Sequence, residues 1–358
     1  MSAGAPLEIL FTGSVPLQPA TAVFAALQSH CGERLRRMPD GEQLNWVFGA
    51  WSVLTQHPAI EVGEGDFLTT ADTPFAGLRS PRFILRDGAS PSDIRIERFG
   101  LADEIRKSYE QLTELKRRGV VPQSVRLQAT VAGPGTTGAP LEPCTWEEIV
   151  AIVGPPLIAE VEAFAEVVPL DELTVQIDIA AEIELEEWRR NPEEFDVSFC
   201  PIQDRAWTGW NLAKLMAPNA EIANHVPEEA ELGFHLCGLW HIDPRGGQDL
   251  QVHVDAANLL AEQVTRRIDY IHLPVLPEHG PEDYATLGGL RLAAETKLFL
   301  GLIHRGDGVE GAQRRIEMAS SVLEDFGVGH FCGLRDLNQV GDEGLDELLD
   351  LHGQVARL

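Results

Sequence analysis

Short apolar runs rich in β-branched and aromatic residues alternate along the chain with longer segments whose apolar residues recur every three to four positions. The first pattern is typical of buried strands and the second of amphipathic helices. The short runs predict eight strands, at 7–13, 33–41, 124–131, 173–179, 231–237, 268–275, 297–304 and 327–334. The longer segments predict helices at 19–30, 101–118, 146–167, 249–266, 308–325 and 342–356.

This alternation predicts the fold class. Eight strands that alternate with helices, with no change in composition along the chain, indicate an α/β protein in which residues 1–358 form one (β/α)8 TIM barrel. Two stretches, about 43–100 and 180–230, are then long insertions that each follow a barrel strand. Such insertions lie on the face that holds active sites, where they form pocket walls and lids or are excursions without a function.

Charge and cysteine usage narrow the class of partner. The chain has 28 Lys and Arg residues against 56 Asp and Glu, a net charge of −28, so nucleic acid and anionic membrane surfaces should be repelled. No basic leader precedes an apolar segment and no run approaches a membrane-spanning length, so we expect a cytoplasmic protein. The cysteines are few and scattered, which favours free thiols over a disulfide framework. Nothing in the sequence indicates the oligomeric state.

Polar residues capable of chemistry gather where the predicted strands end. Active sites of TIM barrels lie at the carboxyl ends of the strands, so residues far apart in sequence should converge on one mouth. The residues at these positions, from the first strand to the last, are Ser14, Asp40, Glu42, Asp178, His235, Cys237, His272, His304 and Cys332.

His235 and Cys237 are separated by one residue at the end of the fifth predicted strand, so both side chains point to the same side. Imidazole and thiolate are the ligands that zinc prefers in proteins. Taken alone, a His-x-Cys pair is more often a packed histidine beside a buried thiol. Cys332, at the end of the eighth strand, adds a second cysteine across the mouth and turns the balance toward a metal site.

Six short motifs, in order, carry a resemblance to a known family. They are "TGSVP" (12–16), "DGE" (40–42), "VQIDIAAE" (175–182), "HLC" (235–237), "GLIH" (301–304) and "FCGL" (331–334). The chain resembles the catalytic C-terminal barrel of cobalamin-independent methionine synthase, within the uroporphyrinogen decarboxylase-like superfamily. Its single barrel is similar to the relatives of that enzyme that include zinc-dependent thiol alkyltransferases.

The resemblance implies a zinc enzyme that transfers a methyl or other alkyl group to a zinc-bound thiol such as homocysteine. His235, Cys237 and Cys332 match the zinc ligands of the family. Zinc deprotonates a bound thiol outright, whereas a free thiol with a pKa near 8.5 is mostly protonated at neutral pH. The partners implied are therefore a small-molecule thiol acceptor and an alkyl donor, which is open among a folate, a corrinoid, a sulfonium, a methoxyaromatic and an epoxide.

The resemblance also implies roles for four further residues. Glu42 and Asp178 match the acids that hold the amino group of homocysteine, and Ser14 matches a residue that meets its carboxylate. His304 matches the family's strand-seven histidine, and its imidazole is suited to donating a proton to the leaving group near neutral pH. Each has a structural alternative: strand-end carboxylates bonded to backbone or arginine, an ordinary loop serine, and a core histidine.

The sequence departs from the family at two places. Methionine synthase has a glutamate ligand on the sixth strand, and Pro274 stands there in this chain, so His272 becomes a candidate for the fourth ligand although it is out of register. The family's arginine and asparagine after Gly-Glu are replaced by "QLN" (43–45), which leaves the acceptor open.

Two other functions fit the same fold. One is a metal-independent lyase of the uroporphyrinogen decarboxylase type, but an acidic tetrapyrrole needs basic residues at the mouth, where Glu42 and Asp178 stand instead. The other is a non-catalytic barrel that binds a small molecule, which Pro274 favours because it removes a family ligand. Both would tolerate Cys237→Ser, whereas a zinc enzyme would not.

Overall fold

A computed structural model describes residues 7–42, 47–67, 79–191, 210–237, 249–334 and 341–358 of the chain. Its strands are β1 (Ile9–Leu10), β2 (Arg37–Pro39), β3 (Ile60–Phe67), β4 (Arg79–Leu85), β5 (Arg126–Ala132), β6 (Leu141–Glu142), β7 (Leu173–Ile179), β8 (Glu231–Leu236), β9 (Tyr270–Pro274), β10 (Lys297–Ile303) and β11 (Gly327–His330). Eight of these, one from each predicted strand, form a single sheet.

The eight-stranded sheet is a nearly closed parallel barrel. Its strands lie in the order β1, β11, β10, β9, β8, β7, β5, β2, and every hydrogen-bonded pair in it is parallel. The two ends of that order meet, because Val15 donates a main-chain hydrogen bond to Gly41 at 3.4 Å and Glu8 pairs with Arg37 at 3.4 Å. The predicted (β/α)8 TIM barrel is confirmed.

Helices surround the barrel. They are α1 (Ala20–Cys31), α2 (Phe48–Thr55), α3 (Leu101–Arg117), α4 (Pro134–Gly138), α5 (Trp146–Val167), α6 (Ala181–Arg190), α7 (Leu212–Asn224), α8 (Leu250–Gln263), α9 (Pro281–Thr286), α10 (Gly308–Ser320) and α11 (Gly341–Val355). The last helix, α11, packs against α1. Within the described residues, no helix is both long enough and apolar enough to cross a membrane.

The six predicted helices are all present, and five further helices in the described part of the chain were missed. The stretch 43–100 holds α2 and an antiparallel pair, β3 with β4, to which β6 adds a parallel third strand. The stretch 180–230 holds α6 and α7, with 192–209 outside the described residues, and α7 leads the chain to β8. Pro218 lies inside α7 and weakens its helical signal. The division into one domain with two insertions stays a prediction.

The amino-terminal end of the barrel is closed by side chains that form ion pairs with one another. The buried guanidinium of Arg37 bonds Glu231 at 3.0 Å and lies over the ring of Tyr270, 4.7 Å from its centroid. A buried cation needs such partners, since burial without them is costly. Gly233 leaves room for the Tyr270 ring, because a Cβ there would lie 2.0 Å from a ring carbon. The open end of the barrel is therefore the carboxyl end.

Candidate metal centre

His235, Cys237 and Cys332 come together at the carboxyl end of the barrel. One ligand atom from each lies within 4.8 Å of the other two, and the two sulfur atoms are 3.5 Å apart. His235 and Cys237 are buried, whereas Cys332 is partly exposed. The strand end is held in place because Cys237 donates a main-chain hydrogen bond of 2.8 Å to Ile179 on β7. The three predicted ligands thus form one group.

The geometry and chemistry of the group fit a zinc ion. Two sulfurs at 2.3 Å from a tetrahedral zinc would lie about 3.8 Å apart, close to the 3.5 Å between Cys237 and Cys332. The hydrogen bond to Cys332 and burial raise the pKa of Cys237 well above its ordinary value. Two thiolates cannot be held this close together in a buried site without a cation between them. The donor set therefore suits a divalent metal.

His272 lies beside His235, outside the group of three. The two residues are cross-strand neighbours on β8 and β9, and their Nδ1 atoms are 2.9 Å apart. Burial lowers the pKa of His272 to about 3, so its ring is neutral at physiological pH. The role of His272 as a fourth ligand stays a prediction, and its observed contact is with the candidate ligand His235.

Asp178 is held in a buried polar network next to the candidate metal ligands. It pairs in register with His235 across β7 and β8, and its Oδ1 accepts a hydrogen bond of 2.8 Å from Gln176 Nε2. Tyr270 in turn donates to Gln176 Oε1 at 2.8 Å. The negative charge of Asp178 contributes to the raised pKa of Cys237.

Glu42 lies on the loop after β2, with its side chain against the loop after β1. Its backbone is in the left-handed region, at φ 55, and its N–H donates to Asp40 Oδ1 at 2.7 Å. A Cβ at Gly13 would lie 2.2 Å from Glu42 Oε1, so the carboxylate lies directly against Gly13. Gly13 is the residue before Ser14.

Ser14 joins this loop to the segment that carries Cys332. Its carbonyl accepts a hydrogen bond of 2.6 Å from Leu334, and a Cβ at Gly333 would lie 2.2 Å from its Oγ. The half-buried hydroxyl therefore stands directly beside the residue that follows Cys332. The predicted substrate residues Ser14, Glu42 and Asp178 all lie on loops or strand ends at the mouth.

His304 is engaged in the barrel wall. Its Nε2 lies 2.7 Å from the carbonyl of Val275, so that nitrogen donates a hydrogen, and its ring stacks on Phe331 with centroids 5.1 Å apart. Burial and the charge of Arg315 lower the pKa of His304 to about 4. In this conformation the ring is neutral at pH 7 and its N–H already donates to the carbonyl of Val275, so the general-acid role stays a prediction.

Two residues of the site were missed from the sequence. Gln176 orients Asp178 and was not predicted as a site residue, although it lies in the motif "VQIDIAAE". Glu184, in the first turn of α6, contributes to the raised pKa of Cys237, and burial together with the charge of Glu182 raises its own pKa to about 8. The sequence signal that could have indicated Glu184 is its place in the helix that follows a barrel strand. The "QLN" departure at 43–45 lies outside the described residues.

No model of a known protein family matches the chain, and no curated protein sequence matches it. Solved structures do. A protein from Listeria monocytogenes, provisionally named a vitamin-B12-independent methionine synthase, is 16% identical with a TM-score of 0.56, and the match covers 99% of this chain and 98% of that one. A B12-independent methionine synthase from a Shewanella species, in complex with selenomethionine, is 14% identical with a TM-score of 0.57, over 99% and 98%. The chain therefore shares the fold of proteins named for this activity.

Proposed function

We propose that the protein is a transferase that moves a methyl or other alkyl group to the thiol of a small molecule, with zinc held by His235, Cys237 and Cys332. The observation that carries the proposal is the approach of these three ligand atoms to within 4.8 Å at the carboxyl end of the barrel. Three protein ligands leave one tetrahedral position for a substrate, as in catalytic zinc sites. The fold shared with proteins named as methionine synthases supports the same class.

When bound, zinc would supply a thiol acceptor that is deprotonated at neutral pH. The residues of the chain would hold and align that acceptor. A new carbon–sulfur bond forms as the bond between the alkyl carbon and its leaving group breaks, and alignment of the two in one site is a large part of such catalysis. Buried Asp178, fixed by Gln176 at 2.8 Å, is suited to orienting the acceptor without moving itself.

The charges at the mouth favour an amino-acid thiol as the acceptor. Asp178 and Glu42 are both acids, and a site with two carboxylates attracts an ammonium group. Ser14 stands between Glu42 and the segment of Cys332, where its hydroxyl can meet a carboxylate. Homocysteine or a relative carries a thiol, an ammonium group and a carboxylate. A purely anionic thiol such as coenzyme M would meet the same two acids without compensation.

Zinc titration of the metal-free protein tests the metal assignment. We expect about one zinc per chain, and Cys237→Ser or Cys332→Ser should each weaken binding severely because one of the three ligands is lost. Cys31→Ser is the matched control, since Cys31 is also a free buried cysteine but lies at the end of α1. Equal zinc affinity in all four proteins would overturn the assignment and favour the metal-independent lyase or the non-catalytic barrel.

A second titration tests the acceptor. Homocysteine, cysteine, glutathione and coenzyme M are added to the cobalt-substituted protein, and the sulfur-to-metal charge-transfer band reports thiol coordination. We expect homocysteine to coordinate more tightly than coenzyme M, and Asp178→Asn to weaken homocysteine while leaving coenzyme M unchanged or tighter. Preference for coenzyme M, or an Asp178→Asn variant with unchanged homocysteine affinity, would refute the amino-group assignment and leave the thiol chemistry standing.

A further inference from the structure

The contact between His235 and His272 fixes where one proton lies. Their Nδ1 atoms are 2.9 Å apart, which is a hydrogen-bond distance, so one of the two nitrogens donates and the other accepts. Both rings are buried, at 2% and 0% exposure, and this favours neutral imidazoles with one N–H each. Two arrangements satisfy this contact, and they differ in which ring carries its hydrogen on Nδ1.

Only one arrangement suits a metal at His235. When His235 donates through Nδ1–H, its Nε2 keeps a lone pair for a metal ion; in the reverse arrangement the hydrogen of His235 sits on Nε2 and blocks it. The first arrangement requires His272 to carry its own hydrogen on Nε2. That atom lies near β11, where a Cβ at Gly329 would lie 3.7 Å from it. The arrangement is therefore selected by the lone pair that a metal requires on Nε2 of His235.

We propose that His272 is a positioning residue, not a ligand, and that its Nδ1 accepts the Nδ1–H of His235 so that His235 presents Nε2 to the metal. This inference rests on the proposed function, because it assigns the metal site its orienting partner. The partner of a metal-bound histidine is ordinarily a carboxylate, a carbonyl or water, and such partners raise the basicity of the ligand and fix its ring. A neutral histidine does this here without adding a charge to a site that already holds two sulfurs and Asp178.

The position of His272 is consistent with this role. It lies on β9 directly opposite His235, two residues before Pro274, and the group of ligand atoms within 4.8 Å of one another is formed by His235, Cys237 and Cys332. The ring planes of the two histidines are inclined by 56° with centroids 4.9 Å apart, which is a hydrogen-bonded edge contact and not a stack. The removal of a partner of this kind typically weakens metal binding about 10–100-fold.

A pair of nearly isosteric variants tests the proposal. His272→Asn keeps an acceptor oxygen near the position of Nδ1, whereas His272→Leu has the same branching without an acceptor. Zinc affinity, measured by competition with a chromophoric chelator, should fall about 10–100-fold in His272→Leu and stay within about threefold of the parent in His272→Asn. An equal loss in both variants would mean that His272 only fills space, and no loss in either would mean that it does not act on His235.

A second readout does not depend on zinc. In the zinc-free protein, the 15N chemical shifts of His235 report which nitrogen carries the hydrogen. We expect Nδ1–H in the parent and in His272→Asn, and a mixture of both forms in His272→Leu. A parent protein with the hydrogen on Nε2 would overturn the proposal. A parent that has Nδ1–H but binds no zinc would instead leave this contact intact and refute the proposed function.

Discussion

Gly301→Ala should displace a metal ligand through the backbone. Gly301 lies on β10, where a Cβ would be 2.4 Å from Cα of Phe331, the residue before Cys332. Ordinary van der Waals contact begins at 3.4 Å, so the segment 331–332 or the strand must move by about 1 Å. Zinc–ligand distances in proteins lie within about 0.2 Å of their standard values. The substitution therefore shifts the position of Cys332 without replacing any of the three ligand residues.

The expected effects of Gly301→Ala separate stability from metal binding. Overpacking of this kind typically costs about 1–3 kcal/mol, and for a chain of 358 residues this corresponds to a fall in Tm of about 1–4 °C. Zinc affinity should fall about tenfold or more because Cys332 no longer meets the other two ligands. Scanning calorimetry and chelator competition measure the two quantities on the same sample.

Gly306→Ala is the control for this experiment. A Cβ at Gly306 meets nothing within 4 Å, so neither Tm nor zinc affinity should change. If Gly301→Ala lowers Tm but binds zinc as tightly as the parent, Cys332 is not a ligand. If Gly301→Ala changes neither Tm nor zinc affinity, β10 does not lie as close to the segment of Cys332 as the structure has it.

Three further predictions concern the charges and thiols of the barrel. Zinc displaces the protons of two thiols, so its apparent affinity should rise by up to about 100-fold per pH unit while both thiols are protonated in the free protein, and by about tenfold per pH unit in Cys237→Ser. A zinc affinity that does not depend on pH would exclude thiol ligands. Hydrogen peroxide should convert the zinc-free protein to a Cys237–Cys332 disulfide, since the sulfurs are 3.5 Å apart, and bound zinc should prevent this oxidation. Mass spectrometry should show the loss of two hydrogen atoms per chain, and oxidation of either cysteine to a sulfinic acid without a disulfide would contradict the pairing. Arg37→Met should destabilise the fold by about 1.5–3 kcal/mol in urea, because it removes the buried cation that bonds half-buried Glu8 and Glu231 at the closed end of the barrel. Zinc affinity should stay unchanged, and a parallel loss of zinc affinity would show that the two ends are coupled.

The barrel could be predicted from sequence because its strands are buried on both faces. β7 is buried along its whole length, as is typical of strands covered on both sides, and its apolar run stands out against polar flanks. The small sheet could not be predicted in the same way. β3 reads IEVGEGDF, in which glycines and acids replace the apolar alternation that marks a half-buried strand.

The candidate ligands could be predicted from their places at strand ends, and their contacts could not. His235, Cys237 and Cys332 were expected to converge because the fold sends the carboxyl ends of its strands to one mouth. The pairing of His272 with His235 depends on the register of β8 against β9, which one sequence does not reveal. The left-handed backbone of Glu42, whose N–H donates to Asp40 Oδ1, could not be predicted from one sequence either.

X-ray absorption at the zinc edge, on protein purified with zinc and verified by elemental analysis, tests the metal centre most directly. We expect about one zinc per chain with two sulfur neighbours near 2.3 Å and one imidazole nitrogen near 2.0 Å from the protein, and a third sulfur after the addition of homocysteine. A protein that retains no zinc, or zinc surrounded only by nitrogen and oxygen, would contradict the assignment of His235, Cys237 and Cys332 as the site that activates a thiol.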